Sequence, residues 1–184
     1  MKKLGVLALA MVLMAAVSVA FAHNLKRLKA VLVGFEEPPA NSTVGSGEFE
    51  ARINNDETEI TYELSYSGLE GSVTQAHIHL GQRGVNGGIT VFLCTNLGNG
   101  PAGTQPCPPS PATIQGTITA SDVSPPIAAT AAARAQGLGT GELDELIRAI
   151  RAGVTYANVH SATFPGGEAR GQIGPGEGHH HEHE

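Results

Sequence analysis

The sequence has no tryptophan, and aromatic rings make up only 4 % of its 184 residues. Basic side chains are also scarce: 11 Lys and Arg stand against 17 Asp and Glu, a formal charge of −6. A chain without a basic footprint or stacking rings lacks both the phosphate contacts and the base platforms of a nucleic-acid binder. Beyond residue 22 no apolar run approaches membrane-spanning length. No Ser/His/Asp or Cys/His grouping is evident, and no phosphate-cradling loop follows a strand, so hydrolase and kinase chemistry have no support. What the chain does have is 24 glycines, 11 prolines and eight histidines, four of them among the last six residues. The glycines follow no three-residue period, which excludes collagen, and the length fits one ordinary domain.

Lys2 and Lys3 precede an almost unbroken apolar run from Leu4 to Phe21, and Ala20-Phe21-Ala22 has the small-x-small pattern of a signal-peptidase site. The expectation is a signal peptide over 1–22, export to the periplasm or the medium, and a mature chain that starts at His23 with a short lead over 23–27. An uncleaved anchor is the alternative, since the run is of borderline spanning length. No cysteine follows the site to take a lipid. Cleavage would also expose an N-terminal histidine, whose amine and ring could chelate copper together; no matched partner histidine is evident for that reading.

Export permits a disulfide, and Cys94 and Cys107 allow only one connectivity. The segment between them, TNLGNGPAGTQP, is rich in Gly and Pro, and closing so short a loop contributes about 3 kcal/mol in the chain-entropy model. The C-x-x-C spacing of paired metal thiolates is absent.

Strand signals dominate from Leu28 to Ile173. Phe49, Ala51 and Ile53 alternate with Glu48, Glu50 and Arg52; Ile60, Tyr62, Leu64 and Tyr66 alternate with Thr61, Glu63 and Ser65. Asn54-Asn55-Asp56 joins the two as a hairpin. Further strands are expected at Leu28–Phe35, Val73–Leu80, Ile89–Cys94, Thr113–Ala120, Val154–Ser161 and Glu168–Ile173. About eight short strands with Gly-rich turns predict an all-β fold, an antiparallel Greek-key sandwich or barrel. One short helix is expected near 141–152, capped by Thr140 or Gly141 and closed by Gly153, with Leu143, Leu146, Ile147 and Ile150 as its apolar stripe. From 174 to 184 the chain reads GPGEGHHHEHE, a His/Glu-rich tail expected to be disordered.

Strand parity sorts the histidines. In Val73–Leu80, Ala76, Ile78 and Leu80 take the core face, so His77 and His79 share the opposite one with Gln75. Residues i and i+2 lie about 6.5–7 Å apart along a strand, close enough for two imidazoles to converge on an ion. In Val154–Ser161 the buried face is Ala157 and Val159, so His160 points outward beside Asn158 and Tyr156. Were the two strands neighbours, three imidazoles would meet on one surface. Such a cluster favours Cu(II), with Zn(II) as the alternative; solvated strand histidines are the competing reading. His179, His180, His181 and His183, interleaved with glutamates, form by composition a loose metal-capturing tail.

The segments GFEEPP (Gly34–Pro39), AHIHLG (Ala76–Gly81), NGG (Asn86–Gly88) and AGVTYANVHSATFPGGEARGQI (Ala152–Ile173) together resemble the CHRD domain, named for chordin and found singly in exported bacterial proteins. The resemblance spans about Leu28 to Ile173. The motif residues fall on Glu37, Pro38, His77, His79, Gly81, Tyr156, Asn158, His160, Gly167, Glu168, Arg170 and Gly171. In animals the domain sits in extracellular growth-factor antagonists; for single-domain bacterial members the resemblance implies no settled activity. The three internal histidines are also similar, in order and spacing, to copper ligands of copper/zinc superoxide dismutases. No bridging histidine or zinc loop lies between Gly81 and Ile114, so dismutase catalysis is not carried over, and what remains is a mononuclear site on a similar sandwich.

Glu168 and Arg170 fall on one strand face and are expected to pair with each other or to orient His160; Gln75 and Asn158 are further candidates to support the ligands. The leading expectation is an exported non-catalytic binding module for a metal ion. The competitor is an extracellular domain that binds a protein or cell-surface component and whose histidines are structural. A copper redox enzyme is the third reading.

Overall fold

A computed structural model describes residues 26–176. Its strands are β1 (Arg27–Val33), β2 (Ser46–Ile53), β3 (Ile60–Ser67), β4 (Val73–Leu80), β5 (Gly88–Thr95), β6 (Ala112–Ile118), β7 (Thr155–Ser161), β8 (Ala169–Gln172) and β9 (Gly174–Pro175), with helices α1 (Ala131–Ala135) and α2 (Leu143–Arg151). The alternation read in β2 and β3 is the one the chain uses: Phe49, Ala51, Ile53, Ile60, Tyr62, Leu64 and Tyr66 are buried and their neighbours face out. The hairpin between them turns on Asn54, whose side-chain oxygen accepts from the amides of Thr58 (2.9 Å) and Glu59 (3.3 Å).

All pairings are antiparallel, and the strands run β5-β4-β7-β8-β1-β2-β3-β6, with β9 added to the start of β1. Neighbours that are distant in sequence, β4 with β7, β8 with β1 and β3 with β6, roll the sheet into a nearly closed barrel. The two ends of this path, β5 and β6, leave a seam. Gln105 bridges it: its side-chain amide donates to the Leu93 carbonyl of β5 (3.1 Å), the Gln115 carbonyl of β6 (3.1 Å) and Tyr62 Oη (3.0 Å). The loop that carries Gln105 is tied to β5 by the Cys94–Cys107 disulfide, whose Cα atoms are 5.1 Å apart.

The predicted helix forms as α2 and buries its whole predicted stripe, Leu143, Leu146, Ile147 and Ile150. Its cap differs from expectation. Glu142 holds the N-cap position, and its carboxylate accepts from the Gly139 amide, while Thr140 turns away to donate to the Ser124 carbonyl (2.8 Å). The Ala-rich stretch before it forms the single-turn helix α1. Chain pairing also continues beyond Ile173, because the open edge at the start of β1 accepts Gly174–Pro175, and the Gly176 amide donates to the Arg27 carbonyl (2.8 Å). The 1–22 segment, His23 and the tail histidines His179, His180, His181 and His183 lie outside the described residues.

Candidate metal centre

β4 and β7 pair in the register His77↔Asn158 and His79↔Tyr156, with Gln75 opposite His160. Parity therefore places the three imidazoles together as expected. One ring nitrogen from each of His77, His79 and His160 falls within a group spanning no more than 4.8 Å, and His77 Nδ1 is 3.3 Å from His160 Nε2.

The expected surface site is instead an interior one. His77 is 0 % exposed and His79 and His160 are each 6 % exposed; Tyr156 and Asn158 on the same face are equally covered. Parity identifies the side of a strand a residue faces, but not whether loops roof that side. Here two do. The segment after β1 crosses over, held by the Asn41 side chain donating to the carbonyls of Gly167 (3.3 Å) and Glu168 (3.1 Å). It is joined to the β4–β5 loop by the Glu36–Arg83 ion pair and by Asn86 donating to the Pro38 carbonyl (3.2 Å). Glu37 enters under this roof against Gly167, where φ is +132° and a Cβ would collide with the Glu37 carboxyl. Only glycine fits there. Phe92 of β5 closes the other flank, edge-on to His77 at 4.5 Å between ring centroids.

Main-chain carbonyls set the imidazole tautomers. His79 Nδ1 donates to the Gly87 carbonyl (3.0 Å) and His160 Nδ1 to the Pro165 carbonyl (3.0 Å). A carbonyl only accepts, so in the neutral rings both Nε2 atoms carry lone pairs. Neither His77 Nε2 nor His79 Nε2 has a hydrogen-bond partner, although both are buried. Such orphaned polar atoms are costly unless something satisfies them.

A three-layer stack braces His79. Its ring lies parallel to Tyr156 at 4.6 Å and 2°, and the Arg170 guanidinium sits 3.3 Å from the far face of the Tyr156 ring. Arg170 Nη2 donates to the carbonyls of Gln82 and Val85, both at 2.9 Å, and the Gly87 amide donates to Tyr156 Oη (3.2 Å). The stack thus fixes the loop whose Gly87 carbonyl aims His79.

The expected pairing of Glu168 with Arg170 or His160 is not formed. Glu168 turns into the roof, where its carboxylate accepts from Thr43 Oγ1 (2.7 Å) and the Glu70 amide (2.6 Å). The side chain of Arg170 is taken up by Tyr156 and the loop carbonyls instead. Gln75 accepts from Asn99 (3.0 Å) at the more exposed end of β4. Asn158 stays with the cluster, its Oδ1 3.1 Å from His160 Nε2. Sequence reading missed Phe92, Gly87, Pro165 and the stacking role of Arg170; no residue pattern marks a main-chain acceptor.

Burial dominates the electrostatics. It holds His77 well below the ordinary imidazole range, with the neighbouring His160 and His79 adding to the effect, and it lowers His160 against a raising contribution from the Pro165 bond. It pushes His79 down to about 3, opposed by the Gly87 bond. It raises the Glu37 carboxyl to about 7, with Arg170 and Asn158 pulling the other way.

These shifts fix a pH dependence. A histidine whose folded pKa is depressed contributes stability that is present above the unfolded value, 6.5, and is lost as acid protonates the unfolded chain. For His79 that loss is about 2 kcal/mol by pH 5. Glu37 has the opposite sign: its contribution is present below 4.5, is lost as pH rises through about 7, and offsets roughly one histidine. With three histidines against one carboxyl, the metal-free protein should show a lower urea midpoint at pH 5 than at pH 7.5. Equal midpoints would contradict the neutral, buried cluster.

Fold and site together define a nearly closed all-β domain with a roofed cluster of three imidazoles. The family model of the CHRD domain matches residues 28–173, and the chain belongs to that family. No curated protein and no solved structure matches the chain.

Proposed function

We propose that this protein is an exported, non-catalytic binding module that holds Cu(II), with Zn(II) as the alternative ion, through His77, His79 and His160. The observation that carries the reading is the convergence of three imidazole nitrogens within 4.8 Å, with the proton of two rings directed away to main-chain carbonyls. Three neutral imidazoles suit both ions, and affinity for such nitrogen donors rises to a maximum at Cu(II). No thiolate competes, because the two cysteines are joined. The disulfide and the CHRD family support export. The tail histidines His179, His180, His181 and His183 would gather ions loosely.

The test is isothermal titration of Cu(II) and Zn(II) into the full chain with the four tail histidines replaced by alanine. Truncation at Ile173 is unsuitable because it removes β9. Near-stoichiometric binding that disappears in His160→Ala is expected; binding that survives it sinks the internal site.

A second reading, an extracellular interaction domain, is favoured by one feature. A broad trough crosses the outer side of β1, β2, β3 and β6, lined by Arg27, Lys29 and Arg52 and by Glu50 and Glu63. A partner seated there would be retained after replacement of all three histidines.

A further inference from the structure

Asn158 sits on β7 between Tyr156 and His160, 2 % exposed, directly across the pairing from His77. Its Oδ1 is 3.1 Å from His160 Nε2, a distance that normally signals a hydrogen bond. Yet neutral His160 has its only N–H on Nδ1, spent on the Pro165 carbonyl. The Asn158 side chain turns Oδ1 toward that imidazole, so in a buried site an acceptor oxygen faces a ring nitrogen that carries a lone pair and also has His77 Nδ1 3.3 Å away.

Ligand atoms around a tetrahedral ion with bonds near 2.0 Å are separated by about 3.3 Å. The His77 Nδ1–His160 Nε2 distance of 3.3 Å and the Asn158 Oδ1–His160 Nε2 distance of 3.1 Å both match that edge. From this we infer that Asn158 Oδ1 is a fourth ligand, so that the centre is a closed His3Asn site for a divalent cation. The inference rests on the three-histidine reading above and deepens it. Its ligand set is wholly neutral, so the bound ion keeps its full charge. A closed set of protein donors is the arrangement of a holding site.

The test uses the full chain with its four tail histidines replaced, and Co(II) as the probe, followed by its visible absorption and by competition with Cu(II). Asn158→Ala should weaken binding by about 10–100-fold and change the shape and intensity of the cobalt band. Asn158→Asp, which keeps an oxygen donor and adds charge, should bind at least as tightly as the parent. An outer hydrogen-bonding role predicts the reverse for Asn158→Asp, which removes the only N–H donor of that side chain. A thermal melt of each metal-free variant establishes folding, and if Asn158→Ala does not fold, Asn158→Asp alone decides. An unchanged band and affinity in Asn158→Ala, or an Asn158→Asp as weak as the alanine variant, overturns the fourth ligand. In that case the parent still binds and His160→Ala does not. Failure of the three-histidine reading looks different, because the parent and His160→Ala then behave alike.

Discussion

Arg170→Met is expected to lower the stability of the domain by about 3–5 kcal/mol, the range for removing one member of a buried charged network. Arg170 is 1 % exposed and the largest of the fully buried side chains. Methionine replaces much of its volume but none of its donors. The carbonyls of Gln82 and Val85 lose their bonds to Nη2, at about 1–3 kcal/mol for each group left unpaired. Tyr156 loses the cation on its face, and the Glu37 carboxyl loses the positive charge that opposes the cost of its burial. Urea unfolding measures the total. The effect should extend to the centre, since the same loop presents the Gly87 carbonyl to His79. Hydrogen exchange of the 81–88 amides should therefore quicken in the folded variant. A loss below about 1 kcal/mol, the ordinary surface range, would show that the stack is not a brace.

The second large effect belongs to the seam. Replacing Cys94 and Cys107 together by alanine should cost about 3 kcal/mol through the freed loop. Two side chains would still hold the loop. Asn96 accepts from the Cys107 amide (3.0 Å) and donates to its carbonyl (2.9 Å), and Gln105 spans β5 and β6. In the chain-entropy model the cross-link acts on the unfolded chain, so the loss should appear as a lower urea midpoint and an equal fall in protection for the globally exchanging amides of every strand. An additional fall confined to β5 and β6 would show that the bridge also holds the seam shut in the folded state. A loss below about 1 kcal/mol would contradict the entropic contribution.

Much of the framework was legible because alternation is a local signal. Ser46–Ile53 and Val73–Leu80 match their predicted bounds, and the α2 stripe buries the four predicted residues. Parity also brought His77, His79 and His160 to one side before any pairing was known. It did not reveal the roof, because GFEEPP and FPGGE carry no period that shows what they cover. For the same reason Glu168 and Arg170 were expected to meet. They are neighbours on one strand in sequence terms, but β8 begins only at Ala169, and Glu168 already belongs to the loop. Gln75 shares the parity of His77 and His79 yet lies where β4 shifts register, and there Asn99 takes its side chain.

Because β4 and β7 are covered on both sides, they are locked in position twice over. A one-residue slip in a half-solvated strand moves apolar side chains into water. Here it would exchange two interiors: His77, His79 and Asn158 would enter the hydrocarbon side, and Ile78, Ala157 and Val159 would stand among the unpaired polar atoms. Either exchange is penalised on its own. The polar chamber thus acts as a proofreader of strand alignment, a service it performs for the folding chain whether or not an ion ever enters.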